Sequence, residues 1–337
     1  MTTIKDVAEL AGVSFKTVAR VINHANVRPE LRERVTAAIQ QLDYRPTLAA
    51  RQLATQRSFF ITLIMPPVVG SYFARWMLAV SEECHAVGHH LVTEIYDPAR
   101  EDGLSGGDAT VRSDAIILIP PFADHEALLQ RLAKRGVPIV RLGPATPDSI
   151  SPASIPIAID DTAISTEMVD HLIACGHRRI GMIAHTLSAK ATESRVDGYR
   201  AALQKAGIAY DPDLLVRCDF HFADGVAAAT RLLALRERPT AIFAAADYPA
   251  LGAMAQVRKL GYRVPEDIAI AGFDDSLEGR MTFPPLTTVR QPVREFAKAA
   301  VAAATGNGLE HPPFQSQLVL RGSTTGSNDL CTEAYAV

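Results

Sequence analysis

Two pairs of side chains in this sequence have the type and spacing for recognition chemistry. Lys16 and Arg20 stand four residues apart, so a helix carries both cations on one face, one turn from each other. Such a face can donate to base edges in a DNA groove, guanine above all. Arg195 falls at the start of a helix-like stretch, and Asp274 follows a strand-like run ending Ala271-Gly272-Phe273. Both are positions where a ligand in a cleft would be met. A guanidinium fork and a carboxylate can together hold adjacent hydroxyls or an anionic group, although the same residues could equally cap their elements.

Bond-breaking chemistry has no comparable support. The chain contains no Gly-x-Gly-x-x-Gly fingerprint, Walker A loop, Gly-x-Ser-x-Gly elbow or His-Glu-x-x-His pair. His89 and His90 adjoin at a strand start and would point to opposite faces, which argues against joint metal ligation. Asp274-Asp275 lacks further carboxylates nearby in sequence, so hydrogen bonding is expected there in place of cation binding. Cys84, Cys175, Cys218 and Cys331 lie far apart with no Cys-x-x-Cys pair. They are expected reduced and mostly buried, and no metal or other cofactor is expected.

The elements that must position these residues fit an ordinary globular chain. Its 337 residues are 48% apolar and 21% charged with a net charge of −3, enough for two or three domains. No stretch approaches the ~20 apolar residues of a membrane span, and the N-terminus lacks a secretory apolar region, so a cytoplasmic location is expected. Residues 1–58 hold nine Lys or Arg against five Asp or Glu, a charge of +4 that leaves −7 on the remainder. A basic head on an acidic body points to a polyanionic partner for the head alone.

Within the head, Thr3 can cap a helix that buries Ile4, Val7, Ala8 and Ala11, with Gly12 as its stop. Ser14 can cap a second helix, Phe15 to Asn23, with Val18, Val21 and Ile22 inward and Lys16, Thr17 and Arg20 outward. Pro29 opens a third with Val35, Ala38, Ile39 and Leu42 inward. This spacing predicts either a helix-turn-helix unit or a three-helix packing module with solvated basic residues. Residues 46–57 predict a further short helix. It is either a linker whose leucines pack on the body or a segment that pairs with a second copy and wedges Leu53 into the minor groove.

From Phe59 onward, short apolar runs alternate with helix-length segments. One set of runs is Phe60–Met65, His90–Tyr96, Ala115–Ile119 and Pro138–Leu142. A second set is Ile155–Ile159, Arg179–Ala184, Leu214–Cys218, Thr240–Ala245 and Asp267–Ala271. The pattern predicts two α/β lobes, each a parallel sheet flanked by helices, with a ligand cleft between them.

Thr3-Ile4-Lys5-Asp6-Val7-Ala8, Ala11-Gly12-Val13-Ser14, Thr17-Val18, Arg20-Val21 and Asn23 closely resemble the head of the lactose-repressor/galactose-repressor (LacI/GalR) regulators. Tyr44-Arg45-Pro46 and Ala50-Arg51-Gln52-Leu53 match the hinge of that family. Gly176-His177-Arg178-Arg179-Ile180, Arg195 with Gly198-Tyr199, Arg238-Pro239-Thr240, Gly272-Phe273-Asp274-Asp275 and Pro285-Leu286-Thr287-Thr288-Val289-Arg290-Gln291-Pro292 match its core. The resemblance implies a helix-turn-helix head over 1–45, a hinge helix or linker over 46–58, and a body over 59–337 with two Rossmann-like lobes resembling periplasmic binding proteins. It also implies a homodimeric transcription regulator, most often a repressor, that binds a pseudo-palindromic double-stranded operator. A small-molecule effector, a sugar or derivative, would switch it from the cleft. By the same resemblance Phe15, Lys16 and Arg20 read bases, while Thr3, Ser14, Thr17 and Asn23 touch the DNA backbone. Ala50 and Leu53 lie in the hinge that enters the minor groove, and Tyr72, Phe73, Asp160, Arg195, Phe220, Asp247 and Asp274 fall on effector-pocket positions.

Some residues depart from the family pattern. Ala19 replaces the usual Ser, Ala246 stands for Asn before Asp247, Ser71-Tyr72-Phe73 replaces Asn-Pro-Phe, and the tail after Gly326 lacks a leucine heptad. The residue changes bear on the effector's identity, and the missing heptad implies that the tetramer-forming helix of the lactose repressor is absent. The alternative class is a carbohydrate receptor or carbohydrate enzyme carrying a helical head. A receptor needs an export signal and an enzyme needs an acid/base pair at a defined place.

Overall fold

The computed structural model describes residues 2–22, 26–44, 48–67, 70–98, 100, 103–104, 112–143, 154–186, 190–308 and 313–325. The chain divides into two compact units, Met1–Phe60 with Arg112–Asp114, and Ile61–Val111 with Ala115–Val337.

The first unit is helical: α1 (Ile4–Ala11), α2 (Phe15–Ile22), α3 (Pro29–Gln41) and α4 (Leu48–Thr55). Fully buried Val7, Val18 and Val35, one from each of the first three helices, form its core. Local chemistry sets the ends of α1. The Thr3 amide donates to the Asp6 carboxylate at 2.7 Å and the Asp6 amide returns a bond to Thr3 Oγ1, a capping box that stabilises a helix by about 1 kcal/mol. Gly12 stops the helix at φ +60°, where Arg34 Nη2 donates to the Ala11 carbonyl at 2.6 Å. A Cβ on Gly12 would lie 2.5 Å from that same nitrogen and displace the Arg34 head, and the left-handed backbone itself calls for glycine. Beyond α4, Gln52 Nε2 donates to the Ser58 carbonyl, and the Asp114 carboxylate accepts from the Ser58 and Phe59 amides at 2.7 and 3.0 Å.

The second unit contains both predicted lobes. The first lobe comprises β1 (Phe60–Met65), α5 (Ser71–Ala86), β2 (His90–Ile95), β3 (Ala115–Leu118), α6 (Glu126–Ala133), β4 (Ile139–Gly143) and β5 (Ser154–Ala158), in sheet order β2-β1-β3-β4-β5. The second runs α7 (Asp161–Ala174), β6 (Ile180–His185), α8 (Lys190–Lys205), β7 (Leu215–Cys218), α9 (Phe222–Leu233), β8 (Ala241–Ala244), α10 (Asp247–Lys259) and β9 (Ala269–Ala271), in order β7-β6-β8-β9. Adjacent strands β1, β3, β4 and β5 pair in parallel, as do all four of the second sheet. Helices cover both faces of such sheets, which is why β3, β6 and β8 are buried at every position and, apart from His185 at the end of β6, read as apolar runs.

The chain then passes through α11 (Leu277–Arg280) and β10 (Thr288–Arg290). The next helix, α12 (Val293–Ala304), packs in the first lobe, with Phe296 stacked on Trp76 at 6.0 Å and Val293, Ala297 and Ala300 in the same core. Finally β11 (Gln317–Val319) pairs antiparallel with β10, followed by α13 (Gly322–Thr325). Among the described residues no helix is long and apolar enough to cross a membrane.

Three sequence expectations change. The run Ile155–Ile159, grouped with the second lobe, belongs to the first: β5 pairs with β4, Val140 beside Ile155. Order along the chain did not indicate where the sheet ends. Arg195 lies in the second turn of α8, not at its start, because the helix begins at Lys190. The periodicity also did not mark α6, α12, β10 or β11.

Where the second lobe turns from β9 to β10, one carboxylate gathers three cations. Asp275 Oδ1 accepts from Arg321 Nη2 at 2.6 Å, and Oδ2 accepts from Arg280 Nη2 and Arg290 Nε, both at 2.6 Å. Burial pushes its carboxyl up, and the three arginines more than offset this and hold it below its usual range. Its backbone sits at φ +50°, which asparagine also tolerates. Asp275→Asn should therefore lower the unfolding free energy by about 3 kcal/mol or more, read as a fall in the urea midpoint. An unchanged midpoint would remove the carboxylate from this role.

Candidate functional site

The first candidate surface is the exposed side of α2. Val18 and Val21 turn inward, which leaves Phe15 (55% exposed), Lys16 and Arg20 on the outer side with Thr17 half-buried. Phe15 and Lys16 occupy the first turn, which contains no acidic residue, so the positive end of the helix dipole adds to the Lys16 charge. Ser14 Oγ accepts from the Thr17 amide at 3.2 Å and lies 3.0 Å from Thr17 Oγ1. Arg20 Nη2 donates to the Asn26 carbonyl at 2.7 Å, which holds its head at the far end of the helix. Thr3 is committed to the α1 cap. Asn23 lies outside the described residues, as do the side chains of Ala50 and Leu53 on α4.

The second candidate is a cavity of about 400 Å³ between the lobes of the body, at the C-terminal ends of the strands where parallel sheets bind ligands. Tyr72 and Phe73 from α5, Arg195 from α8, Phe220 after β7 and Asp274 after β9 all line it. The aromatics are fixed by edge contacts, Tyr72 on Phe73 at 5.1 Å and His185 on Phe220 at 4.4 Å. Burial lowers the affinity of His185 for a proton and raises the Tyr72 phenol, so both are neutral near pH 7.

Buried Arg195 is pre-oriented by Nε donating to Asp161 Oδ2 at 2.9 Å and Nη1 to the Ala245 carbonyl at 2.6 Å. Its guanidinium lies 3.7 Å from the centre of the Phe273 ring. Asp274 is held from both sides: its amide donates to the Val289 carbonyl, and its own carbonyl accepts from Arg75. Gln291 Nε2 bridges Asp274 Oδ1 at 2.7 Å and the Tyr72 hydroxyl at 3.2 Å. The result is an aromatic slot with a fork of donors and a carboxyl at one end, a geometry for binding a ring that carries hydroxyls.

Two expected pocket residues are elsewhere. Asp160 is the N-cap of α7, accepting from the Thr162 and Ala163 amides at 3.1 and 3.2 Å, and does not line the cavity. Asp247 is buried beneath it, accepting from the Ser276 amide and Thr288 Oγ1, both at 2.6 Å. The Asp247 carboxylate is used up by the fold, and Asp160 spends one oxygen on its cap. Asp161, next in sequence, is the residue that orients Arg195, and Gln291 is the one that orients Asp274. Asp161 stands between Asp160 and Thr162 and Gln291 between Arg290 and Pro292, so no local pattern marks either, and their sequence distance from the residues they serve hid the role. Among the described residues no group of three or more His, Cys, Asp or Glu could hold a metal ion.

Burial pushes the Asp274 carboxyl up to about 8, and the Asp247 charge adds to this against the opposing pull of Arg195 and Arg75. The folded state therefore keeps a proton that the unfolded chain releases near pH 4, so this group's contribution to stability is full below that pH and is lost as pH rises toward 8. Asp274→Asn carries no charge at any pH. Its Tm relative to the parent should rise steadily between pH 5 and pH 8.5, and parallel Tm profiles would contradict the assignment.

Comparison with known proteins matches both regions. Residues 3–47 fit the family of bacterial regulatory proteins of the lacI type, and residues 169–324 fit the periplasmic binding protein-like domain. The transcriptional regulator DegA of Bacillus subtilis is 31% identical, over 97% of this chain and 99% of its own. A solved complex of the transcriptional regulator CelR with cellobiose superposes with a TM-score of 0.68 at 33% identity, covering 96% of this chain and 100% of that one. The lac repressor dimer bound to operator and the anti-inducer ONPF superposes with a TM-score of 0.73 at 28% identity, covering 96% of this chain and 99% of that one. With a helical head that presents Lys16 and Arg20, a two-lobed body around Arg195 and Asp274, and 31% identity to such a regulator over 97% of its length, this chain belongs to the LacI family of DNA-binding transcription regulators.

Proposed function

We propose that the chain is a cytoplasmic repressor that binds a pseudo-palindromic operator as a homodimer. A small uncatalysed effector, a sugar or sugar derivative, would release or tighten it from the inter-lobe cleft. The observation that carries the reading is the pairing of two features in one chain: a basic helix face with an acid-free first turn, and a pre-oriented Arg195–Asp274 pair in an aromatic slot. Phe15, Lys16 and Arg20 are proposed to meet base edges and Thr17 a phosphate, with the hinge over 46–58 placing Ala50 and Leu53 at the minor groove. A second copy is supported by apolar side chains left in water on α11 and its following turn, Met281 at 67% and Phe283 at 57% exposure. The relatives point the same way: one named neighbour is a complex with cellobiose, another a dimer on its operator.

The switch is a two-state equilibrium of the body. A ligand that binds one inter-lobe angle better than the other shifts the equilibrium by its differential affinity, and a coupling of about 1–3 kcal/mol changes operator affinity from several-fold to a hundredfold.

Lys16→Ala should weaken operator binding and lose discrimination at one base pair, by about 1–3 kcal/mol if it meets a guanine. Selection from random duplexes with the parent and the variant reads this directly, and an identical preferred sequence would take Lys16 out of the base-reading set. Arg195→Lys keeps a cation beside Asp161 but removes the planar fork. It should bind operator DNA as the parent does and no longer respond to effector in a gel-shift or anisotropy titration. A preserved response would place the effector elsewhere.

A further inference from the structure

We infer that the cleft accepts an uncharged hydroxylated ligand and discriminates against phosphorylated or carboxylated counterparts of it. The inference rests on the effector reading above and adds the ligand's charge class. Among the described residues lining the cleft, Arg195 is the only Lys or Arg, and its charge already faces Asp161 at 2.9 Å. The same walls supply three aspartates, Asp97, Asp219 and Asp274. No further cation can come from the body residues outside the described ones: segments 68–69, 99, 101–102, 105–111, 144–153, 187–189, 309–312 and 326–337 contain neither Lys nor Arg.

Helix N-termini are the other common source of anion affinity, and four of them border this cavity, at Gly70, Ala191, His221 and Ala246. Each already has a carboxylate of the protein. Glu278 accepts from the Ser71 amide and hydroxyl at the start of α5, and Asp124 accepts from the Lys190 amide at 2.7 Å at the start of α8. Asp224 accepts from the His221 amide ahead of α9, and Asp247 sits in the first turn of α10. A phosphate or carboxylate would therefore compete with a protein carboxylate at each of these helix ends, and its negative charge would meet Asp97 on one wall and Asp219 on the other. A hydroxyl has neither problem. It donates to a carboxylate and accepts from the Arg195 fork at once, and Thr192 beside Arg195 offers the same two-way bonding. The high pKa of Asp274 acts in the same direction, since a protonated carboxyl pairs with a hydroxyl as donor or acceptor.

The test uses the full-length protein and a deproteinised bacterial small-molecule extract. Parent and Arg195→Lys proteins are incubated with the extract, desalted and denatured. The released compounds are identified by mass spectrometry and passed over an anion-exchange resin. In parallel, thermal shift is followed on addition of inorganic phosphate against sodium chloride of equal ionic strength. The expected result is a hydroxylated compound retained by the parent, at least ten-fold less by the variant, that does not bind the resin, together with no shift specific to phosphate. A retained phosphate ester or carboxylate, or stabilisation by phosphate beyond that of chloride, overturns the inference while leaving the effector reading in place. If the parent retains nothing that the variant fails to retain, the effector reading itself falls, and this inference with it.

Discussion

The polar end of the cleft depends on how this fold balances buried charge. Asp274 and Asp275 are neighbours with opposite surroundings. Asp275 is fully buried with three guanidiniums on its two oxygens, from α11, from β10 and from the residue before α13. Asp274 accepts one neutral amide and is pushed toward its protonated form. Both have positive φ, so the chain turns sharply here and presents consecutive carboxyls to different environments. Pinned by its arginines, Asp275 fixes the turn, and the turn places Asp274 on the wall of the cleft. A buried ion cluster of this kind is a poor source of net stability, because desolvation offsets most of the attraction. What it supplies is a single permitted geometry at the point where three elements of the second lobe meet.

The same economy governs the cleft as a whole. Arg195 has its carboxylate, and Asp247 is consumed by Ser276 and Thr288. Glu278 joins the start of α5 to the second lobe through Ser71 and Tyr248. Arg195, Asp247 and Glu278 therefore all have partners within the body, and one of these partners, Ser71, is on the opposite lobe. Contacts of this kind are worth little each in water but more where solvent is excluded, and they hold the lobes at one angle. A ligand acts on a body whose angle is already defined by several small, separable bonds.

Much of this was legible in the sequence, and the limits have physical reasons. Buried parallel strands announce themselves as apolar runs, so β1, β6 and β8 were readable to within a residue or two. The α1 cap could be read from Thr3 and Asp6, and the inward face of α2 from Val18 and Val21. The lobe boundary was not readable, because β5 looks like any other buried strand and pairing with β4 is a property of the sheet. Helix α12 has an apolar side made of Val293, Phe296, Ala297, Ala300 and Val301, but nothing local to it indicates that it packs in the first lobe. In the cleft, residue types at strand ends pointed to Arg195 and Asp274. The groups that orient them, Asp161 and Gln291, lie 34 and 17 residues away along the chain, a distance that no local spacing rule spans.

The placement of α12 also bears on how the molecule is made. The core of the first lobe joins Ile61 and Trp76 to Phe296 and Ala300, so it cannot be complete until the last of these has been synthesised. At roughly 5–20 residues per second, the ~235 residues between Ile61 and Phe296 take roughly 10–50 s to emerge from the ribosome. Over that interval the uncovered face of the first sheet, with Trp76 beside it, must be kept from competing partners. The second lobe has its sheet in hand once β9 has been made, ahead of α12. The lobe that begins first therefore waits through the synthesis of the other lobe's whole sheet.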